Sequence, residues 1–158
     1  MAYTSPKTWT NEPLTASDLN TYIRDNLLAL KSPPSDNYEV TAGGYTTTST
    51  SFVDVDATNL SFTLNTGGGD ILVSLVAVLN APAGTIVGKF DIVVDGISVS
   101  AGSGISSNYI TTQLENCSFP YLITGVSPGT HTFKLQWKTS ANTFGMQPKT
   151  QFWAREVS

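Results

Sequence analysis

Between residues 131 and 138 the chain alternates strictly. His131, Phe133, Leu135 and Trp137 share one parity, and Thr132, Lys134, Gln136 and Lys138 share the other. A period of two puts the first set on one face of a strand and the second set on the opposite face. The stretch therefore reads as an antiparallel strand with one buried and one solvated side. From Tyr38 onward the chain continues in this manner, as short β-rich runs separated by turn residues. The expected strands are 38–41, 46–56, 60–64, 71–79, 87–94, 97–101, 109–114, 119–126, 131–139 and 151–157. Gly67-Gly68-Gly69, Ala81-Pro82-Ala83-Gly84 and Ser127-Pro128-Gly129 mark turns, and Asp95-Gly96 is a strong two-residue hairpin signal. About ten strands without interleaved helices predict an all-β fold: an antiparallel β-sandwich, a jelly roll, with one N-terminal α-helix.

That helix is expected over residues 15–31. Thr15 is a fair N-cap, Asp18 sits where a carboxylate meets free N–H groups, and Pro33-Pro34 end it. Ala16, Leu19, Ile23, Asn26 and Leu30 follow a 3-4-3-4 spacing, a short heptad seam containing one asparagine. An isolated helix of this length is marginal in water, so it needs a partner: its own domain, a neighbour, or copies of itself. Residues 1–13 read as an extended arm broken by Pro6 and Pro13, with Trp9 in search of a pocket on this domain or a neighbouring one. Two units result: an arm and helix over 1–34 for anchoring or oligomerisation, and a β-sandwich over 35–158, joined through the stiff run 32–37.

The 158 residues are 40% apolar but only 13% charged, about half the charged share of an ordinary soluble domain. The net charge is −4, and the eight Lys and Arg are thinly spread. No basic stripe is present to meet phosphates or anionic lipids, so neither nucleic acid nor membrane is an expected partner. No signal peptide is visible, and the apolar run at Ile71–Leu79 is too short to span a bilayer. Cys117, the sole cysteine, reads as a small buried hydrophobe.

Few residues suggest chemistry. His131, the sole histidine, lies on the apolar face of its strand and reads as a core or interface ring with one hydrogen bond. Asp54 and Asp56 share a strand face and could begin a calcium site or an acid pair, although a solvated face leading into the turn at 57–59 explains them as well. Gly67-Gly68-Gly69-Asp70 lacks the lysine and helix of a phosphate cradle. No catalytic residue, cofactor or metal is expected. Tyr45, Tyr109, Tyr121, Phe144 and Trp153 could stack on a sugar if they faced outward.

Two stretches carry a family resemblance. Residues 9–20, Trp-Thr-Asn-Glu-Pro-Leu-Thr-Ala-Ser-Asp-Leu-Asn, leading into Ile23-Arg24-Asp25-Asn26-Leu27, resemble the N-terminal segment of small structural proteins from tailed bacteriophages. Residues 128–139 and the ending Ala154-Arg155-Glu156-Val157 are similar to the closing hairpin of jelly-roll virion domains. Together they cover about a third of the chain. The resemblance implies a virion protein, made in the host cytoplasm, that forms a homotrimer on a capsid or tail. Its partners would be copies of itself and the major capsid protein or other virion proteins. Trp9, Leu14, Leu19, Ile23, Asn26, Leu27 and Leu30 would form the anchor. A capsid decoration (cement) protein is the first expectation. A tail or head-fibre component binding a host-cell glycan is the alternative, and a polysaccharide-active enzyme built on Asp54 or Asp56 is a minor one.

Overall fold

The computed structural model describes residues 7–41 and 43–157. The first six residues of the expected arm, Pro6 among them, lie outside the described residues. Among the described residues, one helix precedes twelve strands. Helix α1 (residues 16–31) is α-helical over Ala16–Asp18, π-helical over Leu19–Arg24 and α-helical again over Asp25–Lys31. The strands are β1 (Ser35–Glu39), β2 (Tyr45–Thr47), β3 (Val53–Asp54), β4 (Ser61–Thr66), β5 (Gly69–Asn80), β6 (Ile86–Val94), β7 (Ile97–Ser98), β8 (Ser106–Ile110), β9 (Glu115–Val126), β10 (Gly129–Thr139), β11 (Phe144–Met146) and β12 (Gln151–Glu156).

They form two antiparallel sheets. In sheet A, the long β5 pairs with β9 on one side and with β12 and β11 on the other, and β1 and β2 complete the far edge. In sheet B, β10 and β6 form the centre, flanked by β3 and β4 on one side and by β7 and β8 on the other. The long strands cross from sheet to sheet as the chain advances: β4 in B, β5 in A, β6 in B, β9 in A, β10 in B, β12 in A. This winding makes the sandwich a jelly roll.

Alternation explains the core. Ile71, Val73, Leu75, Ala77 and Leu79 of β5 face Phe133, Leu135 and Trp137 of β10 and Phe90 and Ile92 of β6, and all of them are buried. The rings cluster in two groups. Trp137 and Phe144 lie 5.0 Å apart and Phe90 and Phe144 5.5 Å apart, while Phe62 contacts Phe152 at 5.1 Å and Phe133 at 5.7 Å. Such aromatic contacts dominate core energetics.

The structure corrects four sequence expectations. The strand expected over 46–56 is two short strands in opposite sheets, because the Ser49–Ser51 region turns on its own hydroxyl hydrogen bonds. The strand expected over 109–114 ends at Ile110, where Glu115 accepts from the Thr111 backbone and hydroxyl and closes a turn. The linker stops at Pro34, since Ser35–Asn37 already pair with β12. Strand β11 has no counterpart among the expected strands. The Asp95-Gly96 hairpin holds as read, with both residues at positive φ (51° and 85°).

Candidate functional site

The N-terminal segment is locked from within by polar contacts. Thr15 caps the helix in a reciprocal box: the Asp18 N–H donates to Thr15 Oγ1, and the Thr15 N–H donates to Asp18 Oδ2, both at 3.1 Å. The Thr15 hydroxyl holds the Asp18 carboxyl below its ordinary range, with Lys7 adding to the effect. Lys7 Nζ reaches back to Asp18 Oδ1 at 3.1 Å and Glu12 Oε1 at 3.0 Å, and these bonds raise its own pKa. The same ammonium lies 5.0 Å from the Trp9 ring and 5.9 Å from the Tyr22 ring. Trp9 meets Tyr22 edge to face at 6.1 Å. The arm therefore folds back on its own helix, and Trp9 finds its contact there while remaining exposed.

The apolar residues of this segment have no such closure. Leu14, Leu19, Ile23, Leu27, Leu28 and Leu30 are all exposed, Leu27 by 60% and Leu30 by 71%. The helix packs extensively on no strand among the described residues. Asn26 departs from the row: it is 8% exposed, and its side-chain amide donates to the Tyr22 carbonyl at 3.2 Å. The π-helical turn, which closes i→i+5 bonds as Asp25 N–H to Asn20 O, precedes Asn26, Leu27 and Leu30 and shifts all three together off a strict heptad register relative to Ala16 and Leu19. The structure thus places Leu14, Leu19, Ile23, Leu27 and Leu30 on solvent and separates Asn26 from them.

The other singled-out residues are occupied elsewhere. Asp54 accepts from Gln136 Nε2 at 2.7 Å and from Lys134 Nζ at 3.2 Å. Asp56 closes the following turn by accepting from the Thr58 and Asn59 N–H groups and from the Tyr45 hydroxyl. The Asn59 N–H leads in pulling the Asp56 pKa down to about 2, and burial beside Asp56 pushes Tyr45 up to about 12. The two carboxylates hold different partners and form no acid pair. No group of three or more His, Cys, Asp or Glu able to hold a metal occurs among the described residues. Cys117 is buried, its Sγ lies 3.7 Å from Asn108 Oδ1, and burial raises its pKa.

His131, expected as a core or interface ring with one hydrogen bond, makes contacts through both ring nitrogens. Nδ1 meets Asp95 Oδ2 at 2.7 Å, and Nε2 meets the Ser127 carbonyl at 2.8 Å. The Ser127 hydroxyl stands 3.4 Å from the same nitrogen, so a Ser-His-Asp set is present in outline. It lacks the geometry of an activated nucleophile. Both ring nitrogens face acceptors, and a nitrogen that donates to a carbonyl cannot take a proton from a hydroxyl. The contact clamps the β6–β7 turn to the β9–β10 turn.

The aromatic candidates do not converge. Phe144 is core, and Tyr45 and Tyr121 pack against the core. Tyr109 is exposed on sheet B, and Trp153 is half-buried on the outer face of sheet A. Beside Trp153 lies a depression of about 370 Å³ lined by Ser35, Asp36, Asn37, Gln151, Ala154 and Arg155. That outer face is hidden at the level of sequence, because adjacent apolar residues in β5 mask which parity points outward.

No protein-family model matches the chain, and no curated protein matches it. Solved structures similar to it include the Eiger TNF of S. frugiperda, 12% identical over 80% of this chain and 94% of that one, with a TM-score of 0.47. Infectious bursal disease virus, Gt strain, is 13% identical over 77% of this chain, which spans 32% of the viral chain, with a TM-score of 0.45. The CBM36-1 domain of a multidomain xylanase from the hindgut metagenome of Trinervitermes trinervoides is 13% identical over 78% of this chain and 98% of that one, with a TM-score of 0.43. All three scores lie below 0.5, and nothing about function follows from them.

Proposed function

We propose that the chain is a structural protein of a tailed-phage virion, a capsid decoration protein that assembles as a homotrimer through its N-terminal segment. The observation that carries this reading is the exposed apolar row of Leu14, Leu19, Ile23, Leu27 and Leu30 on a segment whose Lys7, Thr15 and Asp18 already pair with one another. Exposed apolar surface of this kind marks an interaction site. The resemblance of residues 9–30 to phage virion proteins supplies the setting. The role is assembly rather than catalysis: the carboxylates and His131 are spent on turns and clamps.

Ile23→Asp is the direct test. The full-length chain should be a trimer by light scattering, and the variant should be a monomer with an unchanged β-body melting temperature. An outright unfolded variant would place the helix in the domain core and sink the anchor reading. Antibodies against the chain should label intact phage particles from a producing culture. Unlabelled particles would remove the virion assignment.

A further inference from the structure

Trp153 stands on the outer side of the sandwich. Its neighbours on β12, Phe152 and Ala154, are fully buried, so the parity of the strand points Trp153 outward together with Gln151 and Arg155. The cross-strand register sets Asn37 of β1 beside it on one side and Ser74 of β5 on the other. Ser74 also has outward parity, yet it is only 7% exposed. The larger side chains that flank it there, Trp153 and Pro120, account for the cover. The indole thus rests against the sheet and leaves part of its surface to solvent. Polar groups are handled differently on the two outer faces. On sheet B, Asp54 engages both Gln136 and Lys134 across the strands. Around Trp153, the Asn37 N–H closes on Asp36 Oδ1 at 2.8 Å, but among the described residues no hydrogen bond or ion pair engages the side chains of Asn37, Gln151 or Arg155. With Trp153 and Asp36, these three line the depression of about 370 Å³. Its volume is near the lower end of the ~300–1,000 Å³ of small-ligand sites.

We propose that this depression binds a short neutral oligosaccharide stacked on Trp153. The apolar C–H face of a pyranose ring matches the face of an indole, and tryptophan adds a polar N–H at the ring edge. Each sugar hydroxyl both donates and accepts. Asn37 and Gln151 do both, Asp36 accepts and Arg155 donates, so the rim offers both halves of a hydroxyl contact. Charge decides the class of sugar. Asp36 and Arg155 have opposite signs, and the depression therefore carries no net charge to favour an anionic ligand. A purely apolar ligand would leave the amides and the guanidinium without partners. Strand β1 is the edge of sheet A, so a chain of sugars can run past it without meeting another strand. The site goes beyond the assembly role and does not depend on it, because the exposed row of helix α1 takes no part in the depression.

The test follows the indole N–H signals of the isotope-labelled full chain by NMR. Trp9, Trp137 and Trp153 are its only tryptophans, and Trp153→Ala identifies its own signal by removing it. Titration with maltohexaose, cellohexaose, mannohexaose and N-acetylchitohexaose should shift the Trp153 signal saturably with at least one of them, in the millimolar range. The signals of Trp9 and of buried Trp137 should stay in place. Asn37→Ala and Gln151→Ala alter exposed side chains, and each should weaken that binding about tenfold, as the loss of one hydrogen bond would, with the melting temperature unchanged. Ile23→Asp should leave the sugar response intact, so failure of the trimer and failure of this site are separate results. No saturable shift with any of these sugars overturns the inference, and so does a shift of Trp9 or Trp137 in place of Trp153. Unchanged affinity in both amide variants overturns it too. A response to a heparin hexasaccharide in place of the neutral sugars makes Arg155 the determinant and overturns the neutral class.

Discussion

The N-terminal helix and the β-body solve opposite problems. In the body, the core apolar side chains are closed off and the strands are tied to one another, although Ile97, Tyr109 and Leu114 stay exposed. In the helix, the polar groups are closed off and the apolar ones are left on solvent. Lys7 alone engages two carboxylates and two rings, whereas Leu27 and Leu30 stay exposed. A body built by burial is stable as one chain. A helix built by capping and ion pairs holds its shape locally and gains most of its stability only when a partner covers its apolar row. On the proposed reading, the difference places assembly in the part of the chain whose apolar row stays on solvent.

Core substitutions test this contrast most severely. Trp137→Ala removes a fully buried ring from contact with Phe90 and Phe144, and should cost ~3–5 kcal/mol of unfolding free energy in a denaturant titration. Leu27→Ala should move the same midpoint by less than about 0.5 kcal/mol at a dilution where the chain is monomeric. A comparable loss from both would mean that the helix belongs to the core. Gly88→Ala sharpens the point from the opposite direction. A Cβ there would sit 2.6 Å from the ring carbons of Phe144, which is itself fully buried. Overpacking should cost about 1–3 kcal/mol, and a neutral result would show a looser core than the contacts describe.

Much of the body is legible in the sequence because period-two alternation is a local signal. His131–Lys138 specifies β10, and Asp95-Gly96 specifies the β6–β7 turn. Strand β11 is not legible, since Phe144-Gly145-Met146 is three residues long and pairs with β2 and β5 far along the chain. The clamp at His131 is equally hidden. Asp95 lies 36 residues away, and nothing local announces the contact. In the candidate site, the capping residues and the apolar row are readable from spacing, but the π-helical turn is not. A heptad template assumes regular α-helix, so it sets Ala16 and Leu19 in one register with Asn26 and Leu30, and the wider turn between them breaks that register.

A smaller effect is expected at the cap. Thr15→Ala deletes the acceptor of the Asp18 N–H and the hydroxyl that holds the Asp18 carboxylate. Helicity at 222 nm should fall with a local loss of about 1 kcal/mol, and the unfolding midpoint of the body should stay in place. A body midpoint that falls in step would show the two regions unfolding as one unit.

The smallest effect separates the regions by pH. The bond to Asp95 raises the His131 pKa above 6.5, so its stabilisation is complete below that value and is lost as pH rises through the higher folded value. Asp95 runs the other way. The Thr132 N–H, with His131 second, lowers its pKa below 3.8, so its contribution is present above that value and is lost as pH falls through the lower folded one. Both contributions are complete between these limits, near pH 5.5. Asp95 is nearly half exposed, so solvent screening holds the clamp to about 0.5 kcal/mol. The melting temperature of the body should therefore drop slightly from pH 5.5 to 8.5, and His131→Gln should abolish that part of the drop. The helix has no matching group. The raised Lys7 and lowered Asp18 both stay charged across this range, so its dichroism in the native state should be flat. A helix signal that moves with the body over these three units would break the distinction between a part that closes on itself and a part that leaves its apolar row on solvent.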